Sequence, residues 1–166
     1  MGYPVYDCDS EAKRIMDNNS RIHLLLCENI HPDAVTDGKI DRKLISEIVF
    51  SNPVLLEKLN HIVHASVFEH LEKWKISHPG TAFVESAILR SSGLINLVDS
   101  EWHVTAPLEV RIERVGKRSS LTREQIIARI RSQADQESAN SVPFYIIDNS
   151  PLKSILPQIH NLLEKL

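Results

Sequence analysis

Apolar positions along this chain fall into two periods. Four short runs, 3–6 (YPVY), 81–85 (TAFVE), 102–105 (WHVT) and 144–147 (FYII), are apolar or rich in β-formers and are bounded by breakers or polar residues. They predict strands. Between them apolar residues recur at helical spacing. The stretch 41–50 (DRKLISEIVF) puts Leu44, Ile45, Ile48 and Val49 on one stripe. Asn52 and Pro53 suit the cap and first turn of a helix that carries Leu55, Leu59, Ile62, Val63, Val67 and Leu71 to about Trp74. Ser10 is placed to cap a helix over 12–16, and Pro107 to start one over 108–115. Thr122 and Gln125 form a capping box that opens a helix over 123–137. Pro151 is expected to start a last helix bearing Ile155, Ile159, Leu162, Leu163 and Leu166. Strands alternating with helices predict a parallel α/β sheet. About seventy residues separate the first two strands, far more than a plain crossover needs. Residues 20–79 therefore read as a helical insertion at the ligand edge of the sheet.

Composition narrows the class. A length of 166 residues suits one domain. The 42% hydrophobic and 25% charged fractions are ordinary for a globular protein. A net charge of −3 leaves no basic footprint for nucleic acid, although 111–131 is locally basic. Cys8 and Cys27 make neither a disulfide framework nor a zinc site and read as free thiols in a reducing cytosol. No apolar run approaches the ~18 residues of a membrane span. The start, MGYPVYDCDSE, has neither the basic flank nor the apolar core of a signal peptide. Tyr6 stands where the myristoylation pattern needs Ser or Thr. A cytoplasmic protein is expected.

The candidate chemistry begins at the end of the first strand. Asp7 and Asp9 lie where open α/β sheets place their ligands. Within a strand that spacing would put both on one face, a parity that lapses once the strand ends. Either can serve as a proton acceptor in phosphoryl transfer; the plainer reading is a strand end followed by a helix cap. Arg111, Arg114, Lys117 and Arg118 make one basic face, and Arg123, Arg129 and Arg131 follow after a Ser-Ser turn. Such a hairpin can close on phosphates, which the planar guanidinium fork suits. The alternative is a solvated face with pairs such as Glu113–Lys117. His61 and His64 stand one turn apart, with His70 further along, but no HExxH pattern or third ligand points to a metal site. His64 is better placed to hydrogen-bond a ligand. Glu85 ends the second strand and Asn149 follows the last. Gly2, Gly38, Gly80, Gly93 and Gly116 are too scattered to build a phosphate-cradling loop.

Six segments in order carry a resemblance: GYPVYDCD (2–9) with Ala12 and Lys13, DGKIDRKLISEIVF (37–50), LNHIVH (59–64), FVESAILRSSGL (83–94), HVTAPLEVRIERVGKRSSLTREQIIARIRSQ (103–133) and IIDN (146–149). Together they resemble the dephospho-coenzyme A kinases, P-loop kinases of the nucleoside-monophosphate-kinase-like group. The resemblance implies a three-layer parallel sheet of the P-loop kinase type, with 20–79 as substrate insertion, 114–133 as helical lid and the remainder as α/β core. It implies ATP-dependent phosphorylation of the 3′-hydroxyl of dephospho-coenzyme A, with Mg²⁺ carried by ATP. Asp9 matches the family's proposed base. Asp37, Arg42 and His64 fall in the substrate motif, and Asp7 and Glu85 join the substrate side at the strand ends. Arg114 and Arg118 would meet ATP phosphates, with Asn149 near the adenine.

Two departures stand out. Ala65 replaces the usual proline after the histidine. In the family a strand, a GxxxxGK(S/T) loop and a helix, roughly 25 residues, precede the segment that here opens the chain. The expectation is that Met1 is a late start, that transfer by this chain is impaired, and that the gap beside its strands leaves self-association open. A non-catalytic relative binding a coenzyme A-like ligand or a protein is the first alternative, another small-molecule P-loop kinase the second. The DGKIDR and LNHIVH segments weigh against the latter.

Overall fold

Two pairs of parallel strands, one in each of two units, carry the fold. The computed structural model describes residues 2–134 and 142–166, backbone alone at 132–134, and divides into Met1–Ser86 and Ala87–Leu166.

In the first unit β1 (Val5–Asp7) runs parallel to β4 (Phe83–Glu85), pairing Val5 with Phe83, Tyr6 with Val84 and Asp7 with Glu85. Parallel neighbours need a crossover. This one contains α1 (Cys8–Asn18), α2 (Ser20–Asn29), a 3-10 turn (Pro32–Ala34), β2 (Val35–Thr36), β3 (Lys39–Ile40), α3 (Arg42–Phe50) and α4 (Pro53–Ser77). Helix α4 is the spine, with α1, α2 and α3 packed against it. Asn52 caps it by accepting the Val54 and Leu55 amides, Pro53 sits in its first turn, and Pro79-Gly80 follows its end. Ile22, Leu26, Ile45, Ile62, Val67 and Leu71 form the core, with Leu26 and Leu71 wholly buried. Cutting either leucine to alanine would cost roughly 2–5 kcal/mol.

Three features here depart from expectation. Helix α1 starts at Cys8 and its cap is Asp7, so Ser10 is not the cap. The carboxylate wins because it accepts both the Ser10 amide and its hydroxyl, at 3.0 and 2.6 Å. Helix α2 and the β2–β3 hairpin are further elements within the insertion, beyond those the sequence pattern predicts. The hairpin's two-residue turn has Asp37 at φ 51° and Gly38 at φ 72°. Positive φ at both central residues is what a tight antiparallel hairpin demands, and Asp-Gly supplies it.

In the second unit β5 (Glu101–Thr105) runs parallel to β6 (Phe144–Asp148). The crossover contains α5 (Leu108–Arg118) and α6 (Arg123–Ala134), and α7 (Ile155–Leu163) follows β6. Helices α5 and α6 form a hairpin that buries Ile112 and Ile126. The capping box forms in both directions: Thr122 Oγ1 accepts the Gln125 amide at 3.3 Å, and Gln125 Oε1 accepts the Thr122 amide at 2.9 Å. The predicted last turn of α6, to Glu137, lies outside the described residues. Helix α7 starts at Ile155, not Pro151. Pro157 explains the shift: it has no amide to donate and is tolerated only in a first turn. Gln158 then locks α7 to β6 like a strand partner, its Oε1 accepting the Asp148 amide at 2.9 Å and its Nε2 donating to the Asp148 carbonyl at 3.0 Å. Among the described residues no helix is long and apolar enough to cross a membrane.

Candidate active site

The ends of β1 and β4 bring two of the expected residues side by side, Asp7 and Glu85, as register partners. Asp7 is committed to Ser10, and those hydrogen bonds, the side-chain one first, hold its carboxyl below its ordinary range. It is a weak proton acceptor for that reason. Asp9 is different. It lies exposed in the first turn of α1, and its carboxylate is bonded by no side chain among the described residues. The strand ends at Asp7, so the two acids do not share a strand face. Between them Cys8 is buried; burial first, then the Asp9 and Asp7 charges, push its thiol up to about 11. It stays protonated at neutral pH and is no nucleophile.

The other substrate-side candidates are spread over the insertion. Asp37 is exposed in the hairpin turn. Arg42, first residue of α3, donates to Asp17 near the end of α1 at 2.7 Å, both side chains about half exposed. Asp41 beside it caps α3 through the Leu44 amide. His64 lies half-buried on α4; burial first and His61 second lower its pKa, so a neutral imidazole faces any ligand at pH 7. No hydrogen bond or ion pair joins Asp37, Arg42 and His64 to one another among the described residues.

In the second unit Arg114 and Asn149 do meet. Arg114 Nη1 donates to the Asn149 carbonyl at 3.1 Å, just beyond the end of β6. The Asn149 amide extends the ladder by donating to the Thr105 carbonyl at 2.7 Å. Arg118 ends α5, exposed. Part of the basic run is the plain solvated face considered above. Lys117 pairs with Glu113 at 2.6 Å, and Arg123 reaches both Glu109 oxygens at 2.8 and 2.9 Å, lowering the Glu109 pKa. Among the described residues no group of three His, Cys, Asp or Glu side chains is arranged to hold a metal ion.

A polar chain at the base of the Asp9 helix went unseen in the sequence. Tyr6, 1% exposed, has its hydroxyl 2.9 Å from His70 Nδ1, and His70 Nε2 is 2.7 Å from Arg14 Nη2. Burial, the largest influence, raises the Tyr6 pKa, so the phenol stays protonated. A tyrosine in the middle of a strand was the available signal, because a tyrosine hydroxyl needs a partner wherever it is buried.

Parallel strand pairs joined by helical crossovers, found in each unit, define an α/β protein of the P-loop kinase fold. Solved structures agree. The Thermus thermophilus protein TT1252 superposes with a TM-score of 0.76 at 30% identity, covering 99% of this chain and 85% of that one. The dephospho-CoA kinase from Campylobacter jejuni gives 0.62 at 25% identity, covering 99% and 83%. The family model described as dephospho-CoA kinase matches residues 1–154. The dephospho-CoA kinase of Bacteroides fragilis strain YCH46 is 36% identical over 167 residues, 98% of this chain and 80% of that protein. The dephospho-CoA kinase of Thermus thermophilus is 33% identical over 151 residues, 90% and 72%. The chain belongs to the dephospho-CoA kinase family, which makes it a kinase of coenzyme A biosynthesis by descent.

Proposed function

We propose that these residues transfer the γ-phosphoryl group of ATP to the 3′-hydroxyl of dephospho-coenzyme A, with Asp9 as the proton acceptor. The observation that carries this is the contrast between the two acids. Asp7 is spent on the helix cap, while Asp9 sits exposed in the first turn, its carboxylate bonded by no side chain among the described residues. As the hydroxyl oxygen bonds to phosphorus and the bridging bond to ADP breaks, the hydroxyl proton passes to the Asp9 carboxylate. Residues 20–79 hold the acceptor, through Asp37, Arg42 and neutral His64, with Asp7 and Glu85 lining the strand ends. Residues 114–133 act as the lid. Arg114 and Arg118 neutralise charge on the moving phosphoryl group, and Asn149, steadied by Arg114, lies on the adenine side. Mg²⁺ enters with ATP and supplies charge neutralisation at its phosphates. The remaining residues form the α/β core, and the free thiols suit the cytoplasm.

The chain as given contains no GxxxxGK(S/T) loop. We infer that these residues alone transfer phosphate slowly, because no amide cradle holds the β- and γ-phosphates. Each parallel pair also has an open edge, and Val5, Val104 and Ile146 are exposed on the strands, which favours self-association. Asp9→Asn tests the assignment in a chain given such a loop. Transfer should fall by roughly 10²–10⁴ while ATP affinity holds. Unchanged turnover would remove Asp9 from the role.

A further inference from the structure

The polar chain beneath Asp9 supports one step more, which rests on the role proposed for that residue. A guanidinium only donates hydrogen bonds. Arg14 Nη2, 2.7 Å from His70 Nε2, therefore makes that nitrogen the acceptor. A neutral imidazole has one N–H, so it must lie on Nδ1 and point at the Tyr6 hydroxyl oxygen, 2.9 Å away. Glu11 orients Arg14 from one turn back on α1, through Nε at 2.8 Å and Nη2 at 2.7 Å. Trp74, one turn further along α4, packs its ring edge-on to Tyr6 at 5.4 Å. One residue of α4 thus grips both sides of the Asp9 segment. Tyr6 belongs to the strand that enters it, and Arg14 to the helix that leaves it. The same helix carries His64, six residues earlier and about 9 Å along the axis.

We propose that His70 is a positioning residue: held between Arg14 and Tyr6, it fixes the Asp9 carboxylate relative to α4 and to a substrate held on that helix. His70 touches no reacting atom. Its effect is on where the proton acceptor stands, and a misplacement of an ångström or less is costly at that step.

Two measurements test this. The first uses the unaltered chain: ¹⁵N spectra of the His70 ring should show the neutral Nδ1–H tautomer. An Nε2–H ring overturns the proposal. The second uses a chain given a phosphate-holding loop and compares His70→Ala in the native and Asp9→Asn backgrounds. In the native background kcat should fall roughly 10–100-fold, with the KM for dephospho-coenzyme A changed less than about twofold. In the Asp9→Asn background the same change should leave the residual rate alone, because there is no longer a base to position. Equal losses in both backgrounds overturn the inference and leave Asp9 its role. If Asp9→Asn itself keeps full turnover, the catalytic reading falls and this inference with it. Arg14→Gln breaks the same chain from the solvent side, so it should reproduce the kcat loss even if His70→Ala fails to fold; full activity in Arg14→Gln also overturns the proposal.

Discussion

Replacing Glu101 with alanine should cost this protein roughly 3–5 kcal/mol, the expected effect of breaking a buried ion pair by removing one partner. Glu101 is the one buried charged residue among those described, at 7% exposure. Its partner is Arg90, and the two side chains are 9% and 11% exposed. Arg90 donates through Nε at 3.3 Å and through Nη2, and its guanidinium lies 5.6 Å from the centre of the Phe144 ring. Removing the carboxylate breaks this buried pair beside a guanidinium that cannot be deprotonated. Replacing both partners by methionine should recover most of the loss, since Phe144 offers the new side chains an apolar neighbour. The assay is urea unfolding followed through Trp102, next to Glu101 on β5, in a Trp74→Phe background. With slopes of about 1–3 kcal/mol per molar urea, the Trp102 midpoint should fall by roughly 1 M or more. Glu113→Ala, which breaks a pair 75% and 62% exposed, is the control and should barely move it. If Glu101→Ala shifts the midpoint no more than Glu113→Ala, the reasoning about burial is wrong.

The acid limb of stability should report the helix cap. The folded-state pKa of Asp7 is depressed below its ordinary 3.8, so its contribution is full above that value and lost as pH falls through the folded one. Asp7→Asn caps as well but cannot titrate, so stability at pH 7 should hold while the loss below pH 3.8 becomes shallower; an unchanged acid limb in denaturation curves would contradict the cap. Arg118→Ala, in a chain with a phosphate-holding loop, should lower kcat by roughly 10²–10³. A change confined to the KM of dephospho-coenzyme A would place Arg118 on the substrate instead.

Local chemistry was legible at two of the helix starts. Asn52-Pro53 and the Thr122–Gln125 box stood where expected, because caps are set within four residues. The four strands were found from their composition, but their partners were not, since pairing depends on residues up to about eighty positions apart. The β2–β3 hairpin is written in Asp37-Gly38, whose positive φ angles are its only local signal, and the same two residues equally suit a ligand-contacting loop. Pro151 and Pro157 are both candidates for a helix start, and it is the missing amide of Pro157 that sets the start of α7. At the site, the acids and arginines could be named from position and type. Which acid is free could not, because it depends on a hydroxyl three residues away turning back to Asp7. The link from Tyr6 to His70 spans 64 residues and has no local signature.

The most direct test of the central claim is phosphate transfer from MgATP to dephospho-coenzyme A, measured side by side on this chain and on one with a strand–GxxxxGKS–helix segment joined ahead of Gly2. The account predicts ATP-dependent coenzyme A formation in the extended chain, and a rate at least about 10³-fold lower in the chain alone. An extended chain that binds dephospho-coenzyme A yet transfers nothing would contradict it and leave a binding protein on a kinase fold.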